Sequence, residues 1–140
     1  MRRLSPLLAL VVTLLLVACG GGSSAASPTT STSGGRPSST AKLSIVSPAN
    51  GSVVHGSRVR VRLSLSGAHI VQATSTVLRP DEGHVHLIMD GKLISMNYSL
   101  NDTLTAVSPG HHLLQAEFVA NDHAPFDPRV IAVSSFEVKP

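Results

Sequence analysis

Residues 83–91 read Gly83-His84-Val85-His86-Leu87-Ile88-Met89-Asp90-Gly91, and they set the reading of the whole chain. Val85, Leu87 and Met89 alternate with His84, His86, Ile88 and Asp90. Successive side chains of a β-strand point to opposite faces, so this alternation predicts one apolar face and one face carrying two histidines. Asp-Gly accepts the positive backbone dihedrals of a tight hairpin turn and ends the strand. Lys92-Leu93-Ile94-Ser95-Met96 is the expected hairpin partner.

Working outward, the same grammar covers 42–140. Leu43 and Ile45 start a first strand, and Ser47-Pro48-Ala49-Asn50-Gly51-Ser52 is a turn cluster. Val53-Val54 forms a short strand before His55-Gly56. Val59, Val61, Leu63 and Leu65 alternate with Arg58, Arg60, Arg62 and Ser64 in the clearest strand. Residues 68–79 are ambiguous between short strands and a core-anchored loop. Thr103 to Val107 is read as a strand. So is His111 to Ala120, with His112, Leu114, Ala116 and Phe118 on one face and Leu113, Gln115, Glu117 and Val119 on the other. Residues 121–129, with Pro125 and Pro128, are read as a loop, and 130–138 as the last strand. No helical period of useful length occurs. Short alternating segments between turn signals predict an all-β sandwich. With few aromatics and no Trp, its core must be built largely from Val, Leu, Ile and Ala.

Before residue 42 the composition changes twice. Arg2 and Arg3 precede Leu7 to Ala18, which is apolar apart from Thr13. The run falls short of the roughly 20 residues of a membrane-spanning helix and fits a signal-peptide core. Residues 20–41 are rich in Gly, Ser, Thr, Pro and Ala and predict a flexible tether spanning roughly 25 Å root-mean-square. The formal charge of +3 shrinks once Arg2 and Arg3 are removed. With no stacking aromatics or motif beside that small charge, no nucleic-acid partner is expected. Cys19 is the one cysteine, so no intramolecular disulfide forms.

Two resemblances follow. Leu16-Val17-Ala18-Cys19-Gly20 resembles the lipobox of bacterial lipoproteins. It implies cleavage after Ala18 and lipidation of Cys19 with acyl chains of the palmitate type, which hold the protein on a membrane. The implied organisation is a signal peptide over 1–18, lipidated Cys19 with its linker over 19–41, and one folded domain over 42–140. The same resemblance implies that the domain lies on the extracytoplasmic side of the bacterial cell envelope. The turn cluster at 47–52, the strand ending at Asp90-Gly91 and Ser108-Pro109-Gly110-His111-His112-Leu113-Leu114 resemble a bacterial immunoglobulin-like domain. That resemblance implies about seven antiparallel strands. Gly83-His84-Val85-His86 and Asn121-Asp122-His123-Ala124-Pro125 also resemble a group of bacterial secreted domains of unknown function, which implies no particular activity.

In the immunoglobulin order, the strand at 83–90 is C, 111–120 is F and 130–138 is G, and C and F are antiparallel neighbours. His84 and His86 then approach Glu117, Val119 and the F–G loop bearing Asp122 and His123. His84, His86 and His123 are candidate ligands for Cu²⁺ or Zn²⁺, with Asp122 and Glu117 as ligands or as partners orienting a ring. No Cys or paired Met accompanies the set, which disfavours a soft Cu(I) site. The alternative leaves His84 and His86 as half-exposed strand residues, His112 as a core histidine hydrogen-bonded at its strand start, and His123 ordering a loop. The spacing does not choose between them. Arg58, Arg60 and Arg62 form a stripe suited either to lipid phosphates or an acidic wall polymer, or to plain solvation. No Gly-x-Ser-x-Gly elbow or phosphate loop is present, and no enzyme is expected. The function expected first is a lipid-anchored interaction module for an envelope protein or wall polymer; the alternative is a metal-binding lipoprotein.

Overall fold

The computed structural model describes residues 35–72 and 75–140. The signal peptide, Cys19 and most of the expected linker lie outside the described residues. Among the described residues nine strands follow in order: β1 (Lys42–Ser47), β2 (Ser52–His55), β3 (Val59–Ser66), β4 (His69–Ile70), β5 (Glu82–Met89), β6 (Lys92–Asn97), β7 (Asn101–Leu104), β8 (Gly110–Val119) and β9 (Pro125–Lys139). They form two sheets. One has the order β1-β3-β7; the other runs β2-β9-β8-β5, with β4 and β6 both pairing β5. Two pairings are parallel, β2 with β9 and β4 with β5, so the arrangement is not wholly antiparallel. The turn at 47–52 carries the chain from the first sheet to the second. There Asn50 Oδ1 accepts the Ser135 N–H and Gly51 N–H donates to Ser135 O.

Alternation is realised where it was strongest. Val59, Val61 and Leu63 are buried while Arg60 and Arg62 face solvent. Val85 and Leu87 of β5 meet Leu114, Ala116 and Phe118 of β8, together with Phe136 and Val138 of β9, in one core. Phe118 stacks on Phe126 with ring centroids 5.6 Å apart. Fully burying a side chain of this size contributes about 1.5–3 kcal/mol, so these rows hold the sheets together.

Three boundaries differ from the sequence reading. β7 occupies Asn101–Leu104 rather than 103–107, because it is Leu104 that pairs with Val59 and enters the core. The last strand starts at Pro125, not at 130. Its two prolines argue against a strand on sequence, yet β2 pairs only with Phe136–Lys139. The first part of β9 is therefore a sheet edge, where a missing N–H costs nothing in the ladder. Finally, composition groups residues 36–41 with the linker, but they lie along the domain. Asp127 N–H donates to Pro37 O, and Thr40 N–H donates to Pro80 O. In the ambiguous stretch, β4 pairs with Glu82 and Gly83, and Val71 N–H continues the contact to Gly83 O.

Candidate metal centre

β5 and β8 pair antiparallel with His84 opposite Val119 and His86 opposite Glu117. Directly opposite residues of an antiparallel pair share a face. His84 and His86 therefore stand on the outer face at the end of β5 next to the β8–β9 connection. That connection is short. Ala120 N–H donates to Ala124 O, and His123 N–H donates to Ala120 O, closing a tight turn over residues 120–124. His123 adopts φ 64°, the left-handed region that His tolerates better than most side chains. The turn aims its imidazole back over β5.

The three rings converge. The His84 and His123 centroids are 4.4 Å apart and the His84 and His86 centroids 5.0 Å apart. One ring nitrogen from each of His84, His86 and His123 lies within 4.8 Å of the other two. His84 Nε2 and His86 Nε2 are 3.1 Å apart. In a tetrahedral site with metal–nitrogen bonds of about 2.0–2.1 Å, neighbouring nitrogens are about 3.3 Å apart. The His-x-His pair thus already sits at about the right spacing, and the third imidazole needs to close by at most about 1.5 Å.

The environment favours neutral rings. His84 has 0 % of its surface exposed, so it is fully buried and not a half-exposed strand residue. Burial, then the neighbouring His123 and His86 charges, lower its pKa to about 4. Burial and His123 also lower the pKa of His86, while Glu117 opposes the shift. With both rings neutral, one Nε2 must donate to the other. His84 Nδ1 is buried with no hydrogen-bond partner. A buried polar nitrogen left unpaired costs about 1–3 kcal/mol, so this arrangement is held against a local penalty.

The two carboxylates are close by but committed elsewhere. Glu117, 4 % exposed, accepts from Arg129 Nε at 2.6 Å and Nη2 at 2.5 Å. Asp122 accepts from Arg36 through both oxygens, and its Oδ1 also accepts the Ala124 N–H at 3.2 Å. Arg36 further donates to Pro125 O and Ala124 O. Neither acid joins the group of mutually close donor atoms. Asp122 is instead a brace for the turn that carries His123, and Glu117 a charge beside His86.

Sequence reasoning missed four residues around the cluster. Arg36 and Arg129 occupy those acids. Met96 stands opposite His86, and the Tyr98 ring lies 5.1 Å from that of His84. The hairpin turn alone does not reveal Met96. Counting evenly from Asp90-Gly91 puts Ser95 opposite His86, but a bulge between Leu87 and Ile88 shifts the register by one.

His112 answers to the other reading. Its Nδ1 donates to Asp90 Oδ2 at 2.7 Å and its Nε2 donates to Ser108 O at 2.8 Å. Both partners are acceptors, so the ring carries both protons, and hydrogen bonding to Asp90 and then Ser108 raises its pKa. Asp90 Oδ1 also accepts the Leu113 N–H, which ties the β5–β6 turn to β8. This histidine is structural.

No protein-family model matches the chain, and no curated protein matches it. Among solved structures it is similar to a fibronectin(III)-like module of Clostridium thermocellum CbhA. The TM-score is 0.50 at 19 % identity, over 69 % of this chain and 94 % of that one. It is also similar to the PKD domain of human KIAA0319, with a TM-score of 0.47 at 15 % identity, over 77 % of this chain and 88 % of that one. Likeness at such identity is one of fold. With the two-sheet topology, the likeness to the fibronectin(III)-like module makes the domain an all-β sandwich of that general fold.

Proposed function

We propose that the domain is a metal-binding module that holds one transition-metal ion through His84, His86 and His123, carried outside the cytoplasmic membrane on a lipid anchor at Cys19. The observation behind this reading is the convergence of three imidazole nitrogens within 4.8 Å of one another, with His84 buried, His86 half-buried and His123 exposed, which leaves the site open to an incoming ion. Imidazole suits both copper and zinc. An ion would also take up the lone pair that the 3.1 Å nitrogen pair otherwise shares through one proton. An immunoglobulin-like sandwich hosts many roles, so the fold is neutral and the site carries the argument.

The test is calorimetric titration of Zn²⁺ and Cu²⁺ into the full chain carrying Cys19→Ser, which also removes the one thiol. One ion per chain is expected, with binding lost in His84→Ala/His86→Ala. Binding no tighter than tens of micromolar, or unaffected by that double substitution, contradicts the reading. The anchor is tested separately: Cys19→Ser should move the protein out of the membrane fraction, and continued retention contradicts lipidation.

A further inference from the structure

The strand beside the cluster supplies a donor of a different kind. β6 pairs with β5 so that Met96 is directly opposite His86. Opposite residues of an antiparallel pair have Cβ atoms about 4.5–5.5 Å apart on the same face. Two residues on from Met96, just past the end of β6, Tyr98 rests against His84 with ring centroids 5.1 Å apart. Met96 and Tyr98 thus flank the two histidines in turn. Met96 is 51 % exposed, so its thioether is not taken up by the core. Its unbranched side chain, with three rotatable bonds, is long and adaptable enough to reach the ring beside it.

The donors that remain free at this corner are all uncharged. Glu117 is occupied by Arg129, and Asp122 by Arg36. The cost of burying an ion rises with the square of its charge, so a dication without an anionic ligand costs about four times as much to desolvate as a monocation. Thioether is a soft ligand and selects Cu(I), and imidazole also serves copper. Imidazole alone serves either charge state; the neighbouring thioether, with both acids sequestered by guanidinium groups, is what favours a monocation here.

We infer that the ion is copper in its monovalent state, held by His84, His86 and His123 with Met96 as a fourth, thioether ligand. This rests on the metal-binding reading above and narrows it to one ion and one further residue. It also reverses the expectation that Cu(I) is disfavoured for want of a sulfur donor.

The experiment is anaerobic competition for Cu(I) against a chromophoric Cu(I) chelator. It uses the full chain carrying Cys19→Ser, with and without Met96→Leu, alongside Zn²⁺ calorimetry on the same proteins. Outer partners of metal ligands are worth about 10–100-fold in affinity, and a direct ligand at least as much. Met96→Leu should therefore weaken Cu(I) binding at least about tenfold while leaving Zn²⁺ binding within about twofold. X-ray absorption of the Cu(I) protein should show one sulfur neighbour that Met96→Leu removes. Equal Cu(I) affinity in the two proteins, or copper with no sulfur neighbour, overturns the assignment of Met96. Tight Zn²⁺ binding without Cu(I) binding overturns the copper assignment and leaves the trihistidine site standing. If neither ion binds the Cys19→Ser chain, the metal-binding reading falls, and this inference with it.

Discussion

Acid should weaken the metal-free fold through His84, and the effect can be sized. Its pKa is about 4 in the folded chain against an ordinary 6.5. A folded-state pKa below the unfolded value means that the unfolded chain takes up the proton first. Stability is therefore full above pH 6.5, falls as pH drops, and levels off below about 4. At pH 5, 1.5 of those pH units have been crossed, and at 1.36 kcal/mol per unit the loss is about 2 kcal/mol relative to pH 8. His86, whose pKa is also lowered, acts in the same direction. His112 acts in the opposite one, since its raised pKa favours the folded state in acid. Wild type alone reports only the net slope, so the comparison needs a variant. His84→Leu keeps an apolar group of similar volume, removes the titration and removes the unpaired Nδ1. Urea unfolding in chelator at pH 8 and pH 5 should show the wild type losing about 2 kcal/mol more than His84→Leu over that interval. Equal losses in the two proteins would refute the claim that His84 is buried neutral.

Other perturbations test the supports of the cluster. A Cβ on Gly83 would lie 2.0 Å from Val119 O and 2.9 Å from the Phe118 ring. Gly83→Ala must then push β5 and β8 apart and should cost about 3 kcal/mol in urea unfolding; a change under about 0.5 kcal/mol would contradict that close approach. Arg129→Met leaves the Glu117 carboxylate buried and unpaired. The cost should be about 2 kcal/mol, less than for a fully buried pair because the Arg129 side chain is 55 % exposed. Adding Glu117→Gln should recover part of it, and no recovery would argue against the pairing. Arg36→Ala unties Asp122 and the turn that aims His123. Metal affinity should drop about tenfold with the unfolding midpoint little changed, and unaltered affinity would show that the brace does not position the ring.

Much of the architecture is local and therefore legible in the chain. Alternation in 83–89 and 59–65 follows from the strand's period of two, which needs no knowledge of partners. The Asp90-Gly91 turn follows from backbone dihedrals: both residues have positive φ, 51° and 80°. The antiparallel neighbourhood of β5 and β8 follows from the order of segments in an immunoglobulin-like fold, and it brings His123 towards His84 and His86. Where edges decide, local reading fails. Pro125 and Pro128 look like loop residues, and only the edge position of this part of β9, with no strand of the ladder beyond it, makes them acceptable in a strand.

The sequence by itself determined that the chain makes a β-sandwich, that His84 and His86 share a face, and that His123 lies on the connection nearest them. Tertiary structure alone decided what that corner is made of. The rings packed on His84 come from Tyr98, just past β6, and from His123 on the 120–124 turn. The bulge between Leu87 and Ile88 gives His86 a methionine neighbour where even counting gives a serine. A one-residue slip turns every side chain to the other face, so such a bulge changes the chemistry of a site without changing a residue. The acids that seemed to complete the ligand set are held by Arg36 and Arg129. In the Arg36–Asp122 pair the partners are 86 residues apart, a distance across which no local pattern carries information.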